Sequence, residues 1–416
     1  MAFPRILLIL TEFPPSFGGM QTHAAYLCRH LVEHGYPITA VTYRTPTAAA
    51  HDAALPFPVH RCLSRVSYCE NLRLLTAFAR DFQAQLIYAS TVFYGALRKL
   101  TGIPVVCRSP GNDVLRPWIA WPYQTLSRTL SRPAIEDRLY DRFRKLDWPE
   151  RLELLMLHRR RQAMIRAACQ HTRILANSHY TAGLLDGIGL HASQVRVLAG
   201  GVDSARFRPR GESKATLRAR LALPPAAFLL MTACRLVPKK GLALLFRALA
   251  ELRTKMPDAH LVVVGDGRES ARAQRLAAEL GVAPAVTFTG AVPHDALHEY
   301  YWAADQFLLA SREHVDPGTG LRDVETMGRV LCEANAAALP AIAARSGGIP
   351  SIIEDGVNGL LFDEDNHTQL IRSITQLRND PHLAARLANA GLHRAAREFD
   401  WSVICAAHEA EFQNLA

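Results

Sequence analysis

Strand-length apolar runs recur along this chain in two series, each spaced by stretches long enough for a helix, and this recurrence restricts the fold more than any other feature. The first series is Arg5–Leu10, Ile38–Tyr43, Leu86–Ala89, Pro104–Cys107, Ile174–Ala176 and Val195–Leu198. The second is Phe228–Ala233, His260–Val264, Val286–Thr289, Gln306–Ala310, Ala341–Ala344 and Gly359–Phe362. Short runs bounded by turn residues read as strands buried on both faces, and helices between them imply parallel crossovers. The expected fold class is α/β, with two doubly wound, Rossmann-like parallel sheets in succession. A length of 416 residues agrees, since one core seldom holds that many.

Open sheets of this kind bind ligands at the carboxyl ends of their strands, so the loops there carry the functional signal. Past Gln306–Ala310 comes a loop of Gly, Pro and Asp, then a helix that should begin at Gly328 and close at Pro340. Backbone amides at Met327, Gly328 and Arg329 would face outward at the positive end of its dipole, a place for oxygen-rich ligands. Glu325 and Glu333 bracket that start with seven residues between them. A carboxylate beside a phosphate site repels unless it accepts hydrogen bonds from a vicinal diol; one diol could belong to a sugar and the other to a ribose. The first run of the second series ends in C-R-L-V-P-K-K-G, where Arg235 and Lys240 can clamp a diphosphate, arginine as a fork and lysine as a point charge. Both are expected to be exposed rather than part of a core. After the first strand of the chain, Gly18 and Gly19 in T-E-F-P-P-S-F-G-G-M-Q-T-H let backbone approach a ligand closely.

These residues carry a resemblance. Glu325 and Glu333, followed by G-G-I-P-S-I-I-E-D-G-V-N-G-L-L-F, resemble the E-x7-E region of retaining glycosyltransferases of family 4, and R-L-V-P-K-K-G is similar to that family's donor-phosphate motif. V-V-V-G-D-G-R-E, F-T-G-A-V-P-H-D-A-L, A-N-S-H-Y-T-A-G-L-L and V-L-A-G-G-V-D-S-A-R-F-R-P extend the likeness. It runs from about Leu7 to the C-terminus and is weakest between Trp118 and Thr172. The resemblance implies a GT-B fold, two domains facing each other across a cleft: an acceptor-side domain at 1–208, a nucleotide-sugar domain at 209–398 and a terminal helix at 399–416 crossing back to the first domain. It implies that Gly18 and Gly19 contact donor diphosphate, that Arg235 and Lys240 stabilise the leaving group, and that Glu325, Met327, Gly328, Arg329, Val330 and Glu333 hold the donor. The base would lie along Ala291 and Val292. Two departures stand out. In C-R-S-P-G-N-D-V the family's histidine position is Pro110, so Ser109, Asn112 or Asp113 must supply any polar contact; Asp113 is the candidate catalytic group, and capping the following helix is its alternative role. Ser351 stands where the family more often has glutamate.

The implied activity is transfer of a sugar from a nucleotide diphosphate sugar to an acceptor hydroxyl with retention, in cell-surface polysaccharide, lipopolysaccharide or glycolipid synthesis. No metal and no cofactor is expected, because two fixed cations take over the charge stabilisation and no D-x-D carboxylate pair is assigned to hold an ion. The family's favoured route is front-face attack, in which the leaving phosphate oxygen takes the acceptor's proton. A nonenzymatic sugar-nucleotide-binding subunit would share the donor residues and differ only in turnover. A nicotinamide dehydrogenase is excluded for want of a G-x-G-x-x-G after a strand.

Net charge is +10, of which +7 falls in 116–173, with 13 Arg/Lys against 6 Asp/Glu. Trp118, Trp121, Tyr123 and Trp148 lie in the same segment, a composition that fits contact with an anionic membrane and a lipid-linked acceptor as well as it fits a solvated helical face. Nothing in it resembles a nucleic-acid module. The eight cysteines are scattered with no C-x-x-C, which fits a reducing, cytoplasmic setting. The first residues carry a strand-length apolar run followed directly by charge, so neither a signal peptide nor a transmembrane helix is expected.

Overall fold

A computed structural model describes residues 3–15, 18–45, 48–117, 132, 135–136, 138, 150–318 and 320–416. The chain divides into two compact units: Met1–Ala199 with Val315–Arg322 and Ile404–Ala416, and Gly200–His314 with Asp323–Val403.

The first unit holds a seven-stranded parallel sheet of β1 (Ile6–Leu10), β2 (Ile38–Tyr43), β3 (Val59–Leu63), β4 (Leu86–Ala89), β5 (Val105–Ser109), β6 (Arg173–Ala176) and β7 (Val195–Val197), in the order 3-2-1-4-5-6-7. Strands β1 and β4 are buried along their whole length, as their unbroken apolar runs require, and β5 is buried too, although its run gives way to Arg108 and Ser109 at the carboxyl end. Six of the seven are the expected strands with ends moved by a residue or so; β3 was not expected. Its sequence V-H-R-C-L is half-buried because it forms the sheet edge, so no continuous apolar run marks it.

The second unit is a six-stranded parallel sheet of β8 (Phe228–Ala233), β9 (Ala259–Val264), β10 (Val286–Gly290), β11 (Gln306–Leu309), β12 (Ala341–Ala344) and β13 (Leu360–Phe362), in the order 10-9-8-11-12-13. All six are the expected strands. The helix Leu242–Lys255 buries Leu242, Leu245, Leu249 and Leu252, one stripe at helical spacing, against a core that includes Leu261, Val263 and Leu308. Each such leucine stabilises the packing by roughly 1.5–3 kcal/mol. In both units the sheet order reverses beside the first strand, which opens a crevice at the carboxyl edge.

Among the described residues no helix is long and apolar enough to cross a membrane, and all eight cysteines are free. Trp118, Trp121, Tyr123 and Trp148 lie outside the described residues. The helix Glu150–Ala168 at the end of the basic segment presents exposed Arg159 and Arg161, with Arg160 half-buried.

Candidate donor site in the second unit

Three loops meet at the carboxyl edge of the second sheet. The one after β8 leaves the strand at Cys234, exposes Arg235, and winds through a short turn, Pro238–Lys240. Arg235 is exposed, as expected, and makes no ion pair among the described residues. Lys240 differs from expectation. Its side chain is only 11% exposed, and its ammonium is ion-paired with the Glu325 carboxylate, itself 14% exposed, in a short contact. Burial pulls the Lys240 pKa down, but Glu325 beside it outweighs that and leaves it raised. Burial likewise pushes Glu325 up, and Lys240, Lys239 and the Gly328 amide together bring it below its ordinary value. Both partners are therefore charged near neutrality.

The second loop follows β11 and ends at the helix Arg329–Ala336. Gly328 caps this helix with φ +88, a left-handed conformation that side chains resist. The expected helix start is thus observed, but one of its amides is already used by Glu325. Lys239, absent from the expected site, anchors the loop: its buried ammonium pairs with Asp323 at 2.8 Å and donates to the Val324 carbonyl at 2.9 Å. The signal for Lys239 was present as the first lysine of the K-K pair, but sequence alone does not say which lysine turns inward.

The third loop, after β12, is the glycine pair. The Gly348 amide donates to the Glu325 carbonyl at 2.8 Å. A Cβ on Gly348 would lie 1.9 Å from the Thr326 carbonyl oxygen, so glycine here permits the backbone approach that fixes the Glu325 loop.

Glu333 is buried, at 3% exposure. Its carboxylate accepts from the Tyr301 hydroxyl at 2.8 Å and lies 3.7 Å from Arg329. Burial raises its pKa, against the opposing pull of Arg329 and Tyr301. Tyr301 was not foreseen; it sits on the helix Leu297–Ala303 that follows the Ala291–Val292 loop and also reaches the Val330 carbonyl at 3.4 Å. Ala291 is exposed and Val292 half-buried on the loop leaving β10, at the same edge. Met327 is buried and Val330 half-buried. The structure thus joins Lys240, Glu325 and Gly328 by direct contact, with Arg329, Val330 and Glu333 one helical turn further on.

The chain does contain one D-x-D, Asp363-Glu364-Asp365, where none had been assigned. It is exposed, follows β13, and is engaged by other groups: Asp365 pairs with Arg312 at 3.1 Å and Asp363 accepts from Gln369 at 2.9 Å.

In the first unit Gly18 and Gly19 open the helix Gly19–Glu33 beyond β1. Asp113 lines a cavity of about 270 Å³ with Thr11, Asn112 and Arg116 among its walls. It is 6% exposed, accepting from the Ser109 hydroxyl at 2.7 Å and from the Val92 amide at 3.0 Å, so it ties the β5 loop to the turn Val92–Tyr94. Burial raises its pKa from 3.8 to about 6, with the Ser109 hydroxyl and backbone amides opposing. A carboxyl whose folded pKa is raised adds stability that is complete below about 3.8 and lost as pH rises through about 6. That interval corresponds to ~3 kcal/mol. Urea unfolding at pH 4.5 and 7.5 should therefore show the wild type losing stability relative to Asp113→Asn as pH rises; parallel profiles would mean that Asp113 is not desolvated.

Two Rossmann-like parallel-sheet units in succession are the architecture of the GT-B glycosyltransferase fold. Residues 213–394 match the family described as glycosyl transferases group 1, and residues 17–206 match glycosyltransferase family 4. The chain belongs to the group 1, family 4-like glycosyltransferases. It is 28% identical over 407 residues to the GDP-mannose-dependent alpha-(1-6)-phosphatidylinositol monomannoside mannosyltransferase of Mycobacterium tuberculosis, covering 97% of this chain and 96% of that one. The protein of the same description from Mycolicibacterium smegmatis is 38% identical over 201 residues, 48% of this chain, and the match spans about half of that relative, 51%. The crystal structure of Anabaena HepE in complex with UDP superposes with a TM-score of 0.74 at 20% identity, over 99% of this chain and 100% of that one, a likeness of fold.

Proposed function

We propose that this enzyme transfers a sugar, with retention and without a metal ion, from a nucleotide diphosphate sugar to a hydroxyl of a glycolipid acceptor, and that GDP-mannose is the donor to test first. The observation that carries the reading is the convergence of Arg235, the Lys240–Glu325 pair and the Gly328 helix start on one sheet edge. As the glycosidic bond breaks, negative charge grows on the diphosphate, and prepositioned cations and amides stabilise it most where water is excluded. Lys240 has three N–H donors, so a phosphate oxygen can take one while Glu325 keeps another. Glu325, held ionised, has lone pairs left for sugar hydroxyls. The leaving phosphate oxygen then accepts the acceptor's proton, and the protein supplies orientation rather than a base. The donor and the glycolipid class come from the mycobacterial relatives' descriptions. Proton NMR of the product, formed in excess EDTA, tests both finer points: the anomeric configuration of the donor should persist, and the rate should match that without chelator. Inversion, or loss restored by Mg²⁺ or Mn²⁺, would contradict them.

We further propose that the basic segment at 116–173 brings the enzyme to an anionic membrane surface where such an acceptor resides, each cation adding on the order of 1 kcal/mol. Co-sedimentation should favour anionic over neutral vesicles and weaken with salt and with Arg159→Glu plus Arg161→Glu. Equal binding to both vesicle types would remove this element of the proposal.

A further inference from the structure

One cluster of ligand-type side chains lies outside the donor site. His30 is in the last turn of the helix Gly19–Glu33, and His34 caps its end, so the two imidazoles share one face. Glu409 reaches them from the terminal helix, Trp401–Leu415. Its Oε2 lies 2.8 Å from His30 Nε2 and 2.7 Å from His34 Nδ1. All three ligand atoms are within 4.8 Å of one another. We propose that His30, His34 and Glu409 bind a divalent transition-metal ion of the zinc class, bridging these two helices.

The chemistry selects that class. Two imidazole nitrogens and one carboxylate oxygen suit zinc and its neighbours, whereas magnesium and calcium prefer sites built of oxygen alone. Three protein ligands leave a fourth tetrahedral position for water, and the His34 side chain, 46% exposed, leaves the site open to solvent. The carboxylate is also held from behind: its other oxygen, Oε1, accepts from the Tyr36 hydroxyl at 3.1 Å and from Gln413 Nε2 at 3.2 Å. Outer partners of this kind fix a ligand's orientation and free Oε2 for the ion. Gln413 also donates to the Tyr36 hydroxyl at 2.8 Å, so the supporting groups are joined to each other.

Metal entry needs little movement. Metal–ligand lengths of roughly 2.0–2.2 Å in a tetrahedron put nitrogen and oxygen about 3.4 Å apart, so the present contacts of 2.8 and 2.7 Å open by roughly 0.6–0.7 Å. Each imidazole that now faces the carboxylate with N–H changes tautomer, its proton moving through solvent to the other ring nitrogen. Neutral histidines therefore bind without net proton release.

The test is calorimetric titration of the metal-stripped, untagged full chain with Zn²⁺, in a Cys169→Ser background that removes the exposed thiol. One ion should bind per chain and raise Tm. His34→Ala and Glu409→Gln should each weaken binding by at least ~10-fold. His191→Ala, at an exposed histidine elsewhere, should bind as the parent does. Absence of binding by the parent, or equal affinity in His34→Ala and Glu409→Gln, overturns the proposal and leaves Glu409 as a hydrogen-bonding link between helices. Circular dichroism of both variants separates lost ligation from lost fold.

Discussion

Lys240→Ala should lower kcat by about 10²–10³-fold and destabilise the protein as well, whereas Arg235→Ala should cost activity alone. The two cations were both expected to be exposed, and the structure separates them. Arg235 is exposed without an ion pair among the described residues, and surface replacements of that sort change stability by no more than about 0.5 kcal/mol. Lys240 is the partner of a largely, though not fully, buried carboxylate. Removing one member of such a pair strands the other, at roughly 3–5 kcal/mol, and the lower figure applies because Lys239 and the Gly328 amide still face Glu325. A Lys240→Ala, Glu325→Gln double variant should regain part of the stability and none of the activity. Steady-state turnover and urea midpoints of the four proteins decide it. Normal turnover in both single variants would end the clamp assignment, and an unchanged midpoint in Lys240→Ala would show that the pair is solvated.

Gly348→Ala should be nearly as damaging, although residue 348 is no ligand. Its new methyl would meet the Thr326 carbonyl at 1.9 Å, and backbone cannot swing away as a side chain can. Overpacking of this kind costs about 1–3 kcal/mol. Relief requires the Glu325–Gly328 loop to move, and a displacement near 1 Å at a reacting centre can cost about 10²-fold in rate. Donor affinity by calorimetry and kcat should fall together, more than stability does. A variant with wild-type donor affinity would show that the glycine pair does not position this loop.

The fold was legible wherever strands are buried on both faces, because two-sided burial writes itself as an unbroken apolar run. β3 escaped because His60 and Arg61, tolerated at its edge position, interrupt the run. The candidate loops drew notice through their chemistry: a cation pair, a glycine helix start and two spaced glutamates. What the motif could not convey was which groups are already partnered. Lys239 and Lys240 are adjacent, yet one anchors Asp323 and the other Glu325. Glu325 and Glu333 form one sequence motif, yet burial and partners move their pKa values in opposite directions. Tyr301 has no local signal, because its role depends on a helix 32 residues before Glu333 folding onto it.

The most direct measurement is release of nucleoside diphosphate from a panel of nucleotide sugars, GDP-mannose included, with a phosphatidylinositol mannoside acceptor in EDTA. Wild-type protein should release diphosphate in an acceptor-dependent way from one donor, and the Arg235→Ala, Lys240→Ala variant should not, beyond background. Donor binding with no turnover of any sugar would point instead to a binding subunit, and equal release by wild type and variant would contradict the account at its centre.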